Sequence, residues 1–179
     1  GSAELQKQDE NGRIRLERAL KLALEHEMHD HVARCYATLS TRILQSRDYA
    51  LGERYLQDGL TYTTDHEMDS YGVYLLGWRA RSFFERSQWS KAEAEAEEVL
   101  RLHPGSAVIA LPGITTLGYL KARRGDPQAS RWLDQAHDLA LPTGEFQRIG
   151  PGAVARAEAA RGNGQPAQGL GELAPAFKV

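Results

Sequence analysis

A stripe of small and apolar residues that returns five times along the chain constrains the fold more than any other feature. In its clearest copy, Gly52, Leu56, Gly59 and Leu60 occupy positions i, i+4, i+7 and i+8, which lie on one face of an α-helix. The other copies are Leu16, Leu20, Ala23 and Leu24; Ala92, Ala96, Val99 and Leu100; Ala129, Leu133 and Ala136; and Ala167, Gly171 and Ala174. Consecutive copies are 36 to 40 residues apart, which is typical of arrays of helical pairs.

A second series of small residues lies in the helices that alternate with these stripes. Ser40, Ala80, Gly118 and Ala157 follow one another at intervals of 40, 38 and 39 residues. A small side chain at the same place in each pair indicates a point where two helices cross closely. We therefore predict an all-α superhelix of four helical pairs, preceded by one unpaired helix, in which each pair packs mainly on its neighbours.

Helix-breaking residues set the expected boundaries of the domain. Asn11-Gly12 indicates a turn, so an unpaired helix is predicted over residues 13–27. Residues 1–12 are interpreted as a remnant of an expression tag, Gly1-Ser2, followed by a truncated lead-in, and residues 13–179 as the repeat domain.

The front helices, meaning the first helix of each pair, are predicted from the same signals. Two of them are expected over residues 30–46 and 71–86. Proline is tolerated in the first turn of a helix, so Pro112 and Pro151 predict that the other two begin near residues 111 and 150. Residues 103–110 are then a longer linker, and Gly169, Gly171 and Pro175 predict a short last helix.

The charge balance argues against a nucleic-acid-binding surface. Lys and Arg number 22 against 24 Asp and Glu, for a net charge of −2, whereas DNA binding needs clustered positive charge. We expect weak DNA binding without sequence preference. The longest apolar run, over residues 107–114, is too short to cross a membrane, and a single cysteine favours a cytoplasmic protein without disulfides.

One stretch contains metal-ligand chemistry, namely His26, His29, His31 and Cys35. A zinc site needs about four such ligands in a tetrahedral arrangement, and this spacing fits known zinc patterns poorly. His66-Glu67-Met68 repeats the His26-Glu27-Met28 triplet without a cysteine. The cluster is therefore predicted to hold no metal, and Cys35 to be a buried, unreactive thiol.

Sequence motifs for catalysis are absent. The chain has neither a Gly-x-x-x-x-Gly-Lys-Ser/Thr phosphate loop nor a Gly-x-Ser-x-Gly elbow. Neither an enzyme nor a cofactor is therefore predicted. Arg79 falls where the first pair has Leu39, so either it pairs with a carboxylate or the register is shifted by one residue. The acidic residues of 91–98 are expected to form a solvated face.

Four segments resemble a known family. They are Tyr74-Leu-Leu-Gly-Trp-Arg-Ala-Arg81, Gly118-Tyr-Leu-Lys-Ala-Arg-Arg-Gly-Asp-Pro127, residues 139–151 and Val154-Ala-Arg-Ala-Glu-Ala-Ala160. They are similar to the tetratricopeptide-like region of large bacterial LuxR-type transcriptional regulators. The resemblance covers about residues 13–175 and implies a tetratricopeptide-like α-α superhelix. In that family the region follows an ATPase module, and a helix-turn-helix may lie at the C-terminus, but neither motif occurs in this sequence.

The resemblance implies a non-catalytic module that binds another domain of the regulator, a protein or a small effector, and relays that state to transcription. Self-association is compatible with this role, whereas direct contact with nucleic acid or membrane is not expected. The alternative is a freestanding peptide-binding adaptor unrelated to transcription. A small enzyme is the third and weakest hypothesis.

The expected binding groove lies along the front helices, because these line the concave side of stacked helical pairs. The groove positions are counted from each small crossing residue. They lie six residues before it, three residues before it and one residue after it. They are Arg34, Ala37 and Thr41; Tyr74, Gly77 and Arg81; Pro112, Thr115 and Tyr119; and Pro151, Val154 and Glu158. Among these, Arg34, Thr41, Tyr74, Arg81, Thr115 and Tyr119 are predicted to bind the partner, because arginine and tyrosine suit recognition. A double change of Arg81 and Tyr119 to Ala is expected to leave stability nearly unchanged.

Overall fold

The computed structural model describes residues 10–102 and 108–177, and within these residues all regular structure is helical. The α-helices are α1 Glu10–Glu25, α2 His29–Gln45, α3 Tyr49–Asp65, α4 Asp69–Glu85, α5 Trp89–Leu102, α6 Leu111–Arg123, α7 Ala129–Ala140, α8 Phe146–Gly162 and α9 Pro166–Leu173. Short 3-10 helices cover Val108–Ala110, Leu141–Thr143 and Ala174–Phe177.

The helices pack in neighbouring pairs. After α1, which packs on α2, the pairs are α2 with α3, α4 with α5, α6 with α7 and α8 with α9. The front helices α2, α4, α6 and α8 also contact one another in that order. The predicted all-α class and paired packing are thus confirmed, and the superhelix stays a prediction.

Small residues mark the close contacts within the pairs. A Cβ atom added to Gly52 would lie 2.6 Å from Cδ2 of Leu44, and one added to Gly118 would lie 2.6 Å from Cδ2 of Leu133. Ser40 and Ala80 are fully buried. These positions exclude larger side chains because protein interiors are close-packed, which explains the recurrence of small residues along the sequence.

The first helix begins earlier than predicted. Asn11-Gly12 lies inside α1, which starts at Glu10, and Gly12 is buried. Glycine in a helix costs about 1 kcal/mol relative to alanine, and this cost is offset by packing and by side-chain pairs along the helix. The Arg13 guanidinium pairs with Glu10 and, at 2.7 Å, with Glu17. The interpretation of Gly12 as a turn residue was therefore wrong.

The fourth front helix also begins earlier than predicted. It starts at Phe146, and Pro151 lies in its interior rather than in its first turn. The first turn is held by the burial of Ile149, which is 1% exposed. Proline at this place removes one intrahelical hydrogen bond, and its ring also crowds the carbonyl of Gln147 four residues earlier. Of the predicted linker, residues 103–107 lie outside the described residues and Val108–Ala110 is helical. The last helix is short, as predicted.

Six helices end in the same type of turn, with one residue at positive φ. At the end of α2, Arg47 has φ 67° and donates its N–H to the Leu44 carbonyl, while Asp48 donates to the Ile43 carbonyl. This is the Schellman arrangement. The equivalent residues are Glu27, Glu67, Ser87, Gly125 and Gly164. Only two of the six are glycine, the residue that adopts positive φ without strain.

Replacing Arg47 or Glu67 by glycine is expected to stabilise the protein by about 0.5–1 kcal/mol per site. A non-glycine residue in the left-handed region costs about 1–2 kcal/mol. Glycine removes this cost, but its greater flexibility in the unfolded chain cancels part of the gain in stability. Urea unfolding measures the change. Gly125→Ala is the matched control and should lower stability, because Gly125 has φ 69°. A destabilised Arg47→Gly variant would contradict the strain argument.

Candidate functional site

A cavity of about 840 Å³ lies among the front helices. Its wall is formed by residues of α2, α4, α6, the first turns of α8 and the 3-10 helix Val108–Ala110. A cavity of this volume lies in the range typical of small-molecule sites, about 300–1,000 Å³. A second depression, of about 380 Å³, lies between α7 and the last pair.

The structure brings five of the six predicted binding residues together in this cavity. They are Arg34, Thr41, Tyr74, Arg81 and Thr115. Three further predicted groove positions, Ala37, Pro112 and Pro151, also line it. Whether these residues bind a partner stays a prediction.

Tyr119 does not line the cavity. It is 3% exposed, and its ring centroid lies 5.3 Å from that of Phe84 in the core. The Arg81 guanidinium lies over the ring at 4.6 Å from its centroid. Burial raises the pKa of the Tyr119 phenol, and the nearby Arg81 charge opposes this shift. Tyr119 therefore lies behind the cavity wall, where its ring packs against Arg81 and holds that side chain in place.

Three other predicted groove positions are also absent from the cavity wall. Gly77 is buried, and a Cβ atom added there would lie 2.9 Å from the backbone nitrogen of Gly113. Val154 is exposed outside the cavity. Glu158 accepts a hydrogen bond from Arg123 at 3.1 Å. The fixed spacing fails here because the helices are not equally deep in the fold.

Several cavity residues were not predicted from the sequence. Thr38, Arg42 and Gln45 continue the α2 face by one further turn, and Tyr71 and Trp78 extend the α4 face. The spacing of three to four residues along each helix could have found these positions. Gln147 and Arg148 could not have been found in this way, because the sequence placed the start of α8 after them.

Aromatic side chains form one wall of the cavity. The rings of Tyr74 and Trp78 meet edge to face, with centroids 6.4 Å apart and an interplanar angle of 62°. Tyr71 donates its hydroxyl to Oδ1 of Asp30 at 3.0 Å, and burial together with this bond raises the pKa of the Tyr71 phenol. Such rings provide large contact area with few rotatable bonds.

Four arginines and one glutamate line the cavity. The four arginines differ in whether they pair with a carboxylate. Three of the arginines have carboxylate partners: Arg34 pairs with Asp30 at 3.0 Å, Arg81 with Glu85 at 2.7 Å and Arg148 with Glu145 at 2.9 Å. The fourth, Arg42, donates only to amide oxygens, those of Gln45 at 3.1 Å and Gln147 at 2.8 Å. Burial lowers the pKa of the Arg42 guanidinium. Among the described residues, Arg42 has no carboxylate partner.

The Arg42–Gln147 hydrogen bond joins the first pair to the fourth. The two residues are 105 positions apart in sequence. Gln147 in turn donates its amide N–H to Glu145 at 3.0 Å, and Glu145 accepts from Arg148. This chain of polar contacts connects α2 to the start of α8 at the cavity wall.

Two buried polar atoms in the cavity wall lack a hydrogen-bond partner within the described residues. They are the Thr41 hydroxyl and the Trp78 indole N–H. Thr41 is 8% exposed. Buried polar groups in folded proteins are nearly always hydrogen-bonded, so these two atoms, which are closed off from solvent, are exceptions within the wall.

Arg79 is paired, which resolves one of the alternatives left by the sequence. It makes a bidentate contact with Glu95, with Nε and Nη2 at 2.9 and 2.8 Å from the carboxylate oxygens. Glu93 pairs with Arg124 at 2.7 Å in the next helical pair. Glu93 and Glu95 therefore form ion pairs between helices, whereas Glu97 is exposed and Glu98 pairs with Arg101 of the same helix, so the acidic face is solvated only in part. Both pairs between helices stabilise helix packing and lie outside the cavity.

The histidine-rich stretch makes aromatic contacts with the next helices. Nδ1 of His29 lies 2.6 Å from the Tyr62 hydroxyl, and the His29 and His66 rings are 4.5 Å apart. Cys35 is half-buried, and burial raises the pKa of its thiol. Within residues 10–102 and 108–177, no three His, Cys, Asp or Glu side chains are arranged to hold a metal ion. A metal-free cluster stays a prediction.

None of the helices in the described ranges combines the length and the apolar character needed to cross a membrane. Comparisons of the chain with protein-family models, curated proteins and solved structures found no match.

Proposed function

We propose that the chain is a tetratricopeptide-like superhelix that binds an effector or partner in the cavity of its front helices and relays this state within a bacterial transcriptional regulator of the LuxR type. The observation that carries the proposal is which helices contribute residues to the cavity wall. Its residues come from all four helical pairs, so the shape of the cavity depends on how the pairs are arranged.

The bound state can be relayed to another domain because the cavity depends on how the helical pairs are arranged. A ligand shifts a protein between arrangements only to the extent that it binds one arrangement better than another. A ligand that contacts α2 and α4 on one side and α6 and α8 on the other favours one relative placement of these helices. The ends of the array then differ between the free and the bound protein, and a neighbouring domain can respond to that difference.

The side chains that line the cavity support a binding role rather than a catalytic one. They are mainly arginine, tyrosine, tryptophan, threonine and glutamine, which are groups that recognise ligands. The one lining carboxylate, Glu85, is engaged by Arg81 at 2.7 Å. The role in transcription rests on the sequence resemblance in residues 74–160.

Replacing Tyr74 by alanine in the native gene is expected to alter the same transcripts as deletion of the gene. Tyr74 supplies one face of the aromatic wall, and its loss removes contact area for the bound molecule. Genome-wide transcript measurement provides the readout, with immunoblotting to confirm equal protein levels. Asp58→Ala, an exposed position on α3, is the control and should match the wild type.

Two outcomes would oppose the proposal. If deletion changes transcripts but Tyr74→Ala does not, the cavity is not the regulatory site. If deletion leaves all transcripts unchanged, the transcriptional role is wrong and the freestanding adaptor is favoured.

A further inference from the structure

The chemical class of ligand is indicated by the charge in the cavity. Four arginines line it and three are neutralised by nearby carboxylates, as described above. Arg42 keeps a full positive charge with only neutral amide partners. A partly buried charge without a counterion is unfavourable, because no ion pair offsets the free energy of removing the charge from water. A single anionic group would supply the missing charge.

The geometry of arginine favours a carboxylate. The guanidinium has five N–H donors in a planar fork, and Arg42 uses only two of its nitrogens for the amides of Gln45 and Gln147. The planar fork matches the two oxygens of a carboxylate, and such charge-assisted bonds are about twice as strong as neutral ones. One uncompensated charge suits a monoanion better than a phosphate dianion.

Two other residues of the cavity wall carry a buried polar atom without a hydrogen-bond partner in the described part of the chain. Thr41, adjacent to Arg42 on α2, is more than nine-tenths buried, and its hydroxyl has no partner among the described residues. The indole N–H of Trp78, which can only donate, is also without a partner there. Because both atoms are closed off from solvent, a ligand reaches them only after a side-chain movement, and the assignment of the ligand rests on Arg42.

The rest of the wall is suited to an apolar body. Tyr74 and Trp78 present aromatic rings, and Val108, Ile109, Pro112 and Pro151 add aliphatic surface. The volume of about 840 Å³ fits a small molecule better than an extended polypeptide.

From these observations, and resting on the proposed function, we propose that the cavity binds a small aromatic monocarboxylate. Arg42 holds the carboxylate, and the Tyr74–Trp78 wall packs against the ring. Arg34, Arg81 and Arg148 keep their own carboxylate partners.

The test compares two probes of nearly the same shape by isothermal titration calorimetry on the intact chain. Naphthylacetate carries the charge, whereas naphthylacetamide is its neutral counterpart. The wild type is expected to bind the carboxylate about ten- to a hundredfold more tightly than the amide, which corresponds to a hydrogen bond to a charged group.

Variants then assign the preference to Arg42. Arg42→Gln should remove the preference, because losing the charge weakens carboxylate binding far more than amide binding, and Arg42→Lys, which keeps the charge, should restore part of it. Arg18→Gln, an exposed position on α1 outside the cavity wall, removes the same charge elsewhere and is the matched control, which should keep the preference. Circular dichroism and the unfolding midpoint verify that each variant is folded.

The outcomes separate this inference from the proposed function. Equal binding of the two probes, or a preference that persists in Arg42→Gln, overturns the carboxylate assignment and leaves a binding cavity in place. Tighter binding of an acetylated peptide ending in phenylalanine than of naphthylacetate overturns the small-molecule assignment in favour of a peptide C-terminus. If neither probe binds the wild type, the inference fails, while the transcript experiment still decides the proposed function.

Discussion

Replacing Tyr119 by alanine is expected to lower the free energy of unfolding by about 3–5 kcal/mol, the range for removing a large aromatic side chain from a core. Tyr119 is 3% exposed and packs on Phe84, Leu120 and Leu133 in one core cluster. In a domain of this size the loss corresponds to a fall in the melting temperature of roughly 6–20 °C. Chemical and thermal unfolding provide the measurement.

Tyr119→Phe is the matched control. It keeps the ring and loses only the hydroxyl, whose contact with the Pro151 carbonyl is long at 3.4 Å, so the change should be below about 1 kcal/mol. The double Arg81 and Tyr119 variant, expected from the sequence to leave stability nearly unchanged, should therefore be strongly destabilised. A stable Tyr119→Ala variant would show that the ring is not part of the core.

Replacing Gly77 by valine is expected to cost about 3 kcal/mol and to disturb the cavity at the same time. A Cβ atom at this position would lie 2.9 Å from the Gly113 nitrogen and 3.2 Å from Cβ of Pro112. Because one of these atoms belongs to the backbone of α6, relief requires α4 and α6 to move apart, and overpacking of this kind typically costs about 1–3 kcal/mol. Both helices line the cavity, so naphthylacetate binding should weaken as well.

Gly152→Ala is the control for this substitution. Gly152 lies within α8, and a Cβ atom added there would have no neighbour within 4 Å. Alanine should therefore stabilise the helix by about 0.5–1 kcal/mol. If Gly77→Val and Gly152→Ala have the same effect, the contact between α4 and α6 is not close enough to matter.

Local sequence signals were sufficient to predict the helical pairs. Each stripe needs only residues within one helix, as in Leu56 and Leu60 of α3, and the period then follows from repetition. The same reasoning placed Arg34, Tyr74 and Arg81 on one side of the front helices, where the structure has them. The helices α2 and α4 each have one side against the core and one side against the cavity. Residues at a fixed spacing along them therefore fall on the cavity side.

The spacing fails in α6 for a physical reason. Every residue from Gly113 to Leu120 is buried, because α6 packs against α4, α5, α7 and α8. Because α6 is buried on nearly all sides, counting from Gly118 does not distinguish Thr115, which lines the cavity, from Tyr119, which lies in the core. The absence of charge from 111 to 120 is a signal of burial that the sequence did contain.

The partners of Arg42 could not have been predicted in the same way. Nothing near position 42 indicates Gln147, since their contact depends on the path of the whole chain between them. The uncompensated charge on which the proposed ligand class rests is therefore a property of the whole folded chain and is absent from any single helical pair.

The Arg42–Gln147 contact also bears on the order of folding. Arrays of repeats normally fold through contacts between neighbours, which are close in sequence and form quickly. A hydrogen bond across 105 residues closes a long loop, and the entropy of that closure is repaid only after the intervening pairs have stacked. The cavity wall is therefore completed only after the intervening pairs have packed, and this exposed side-chain bond belongs to the part of the fold that opens most readily.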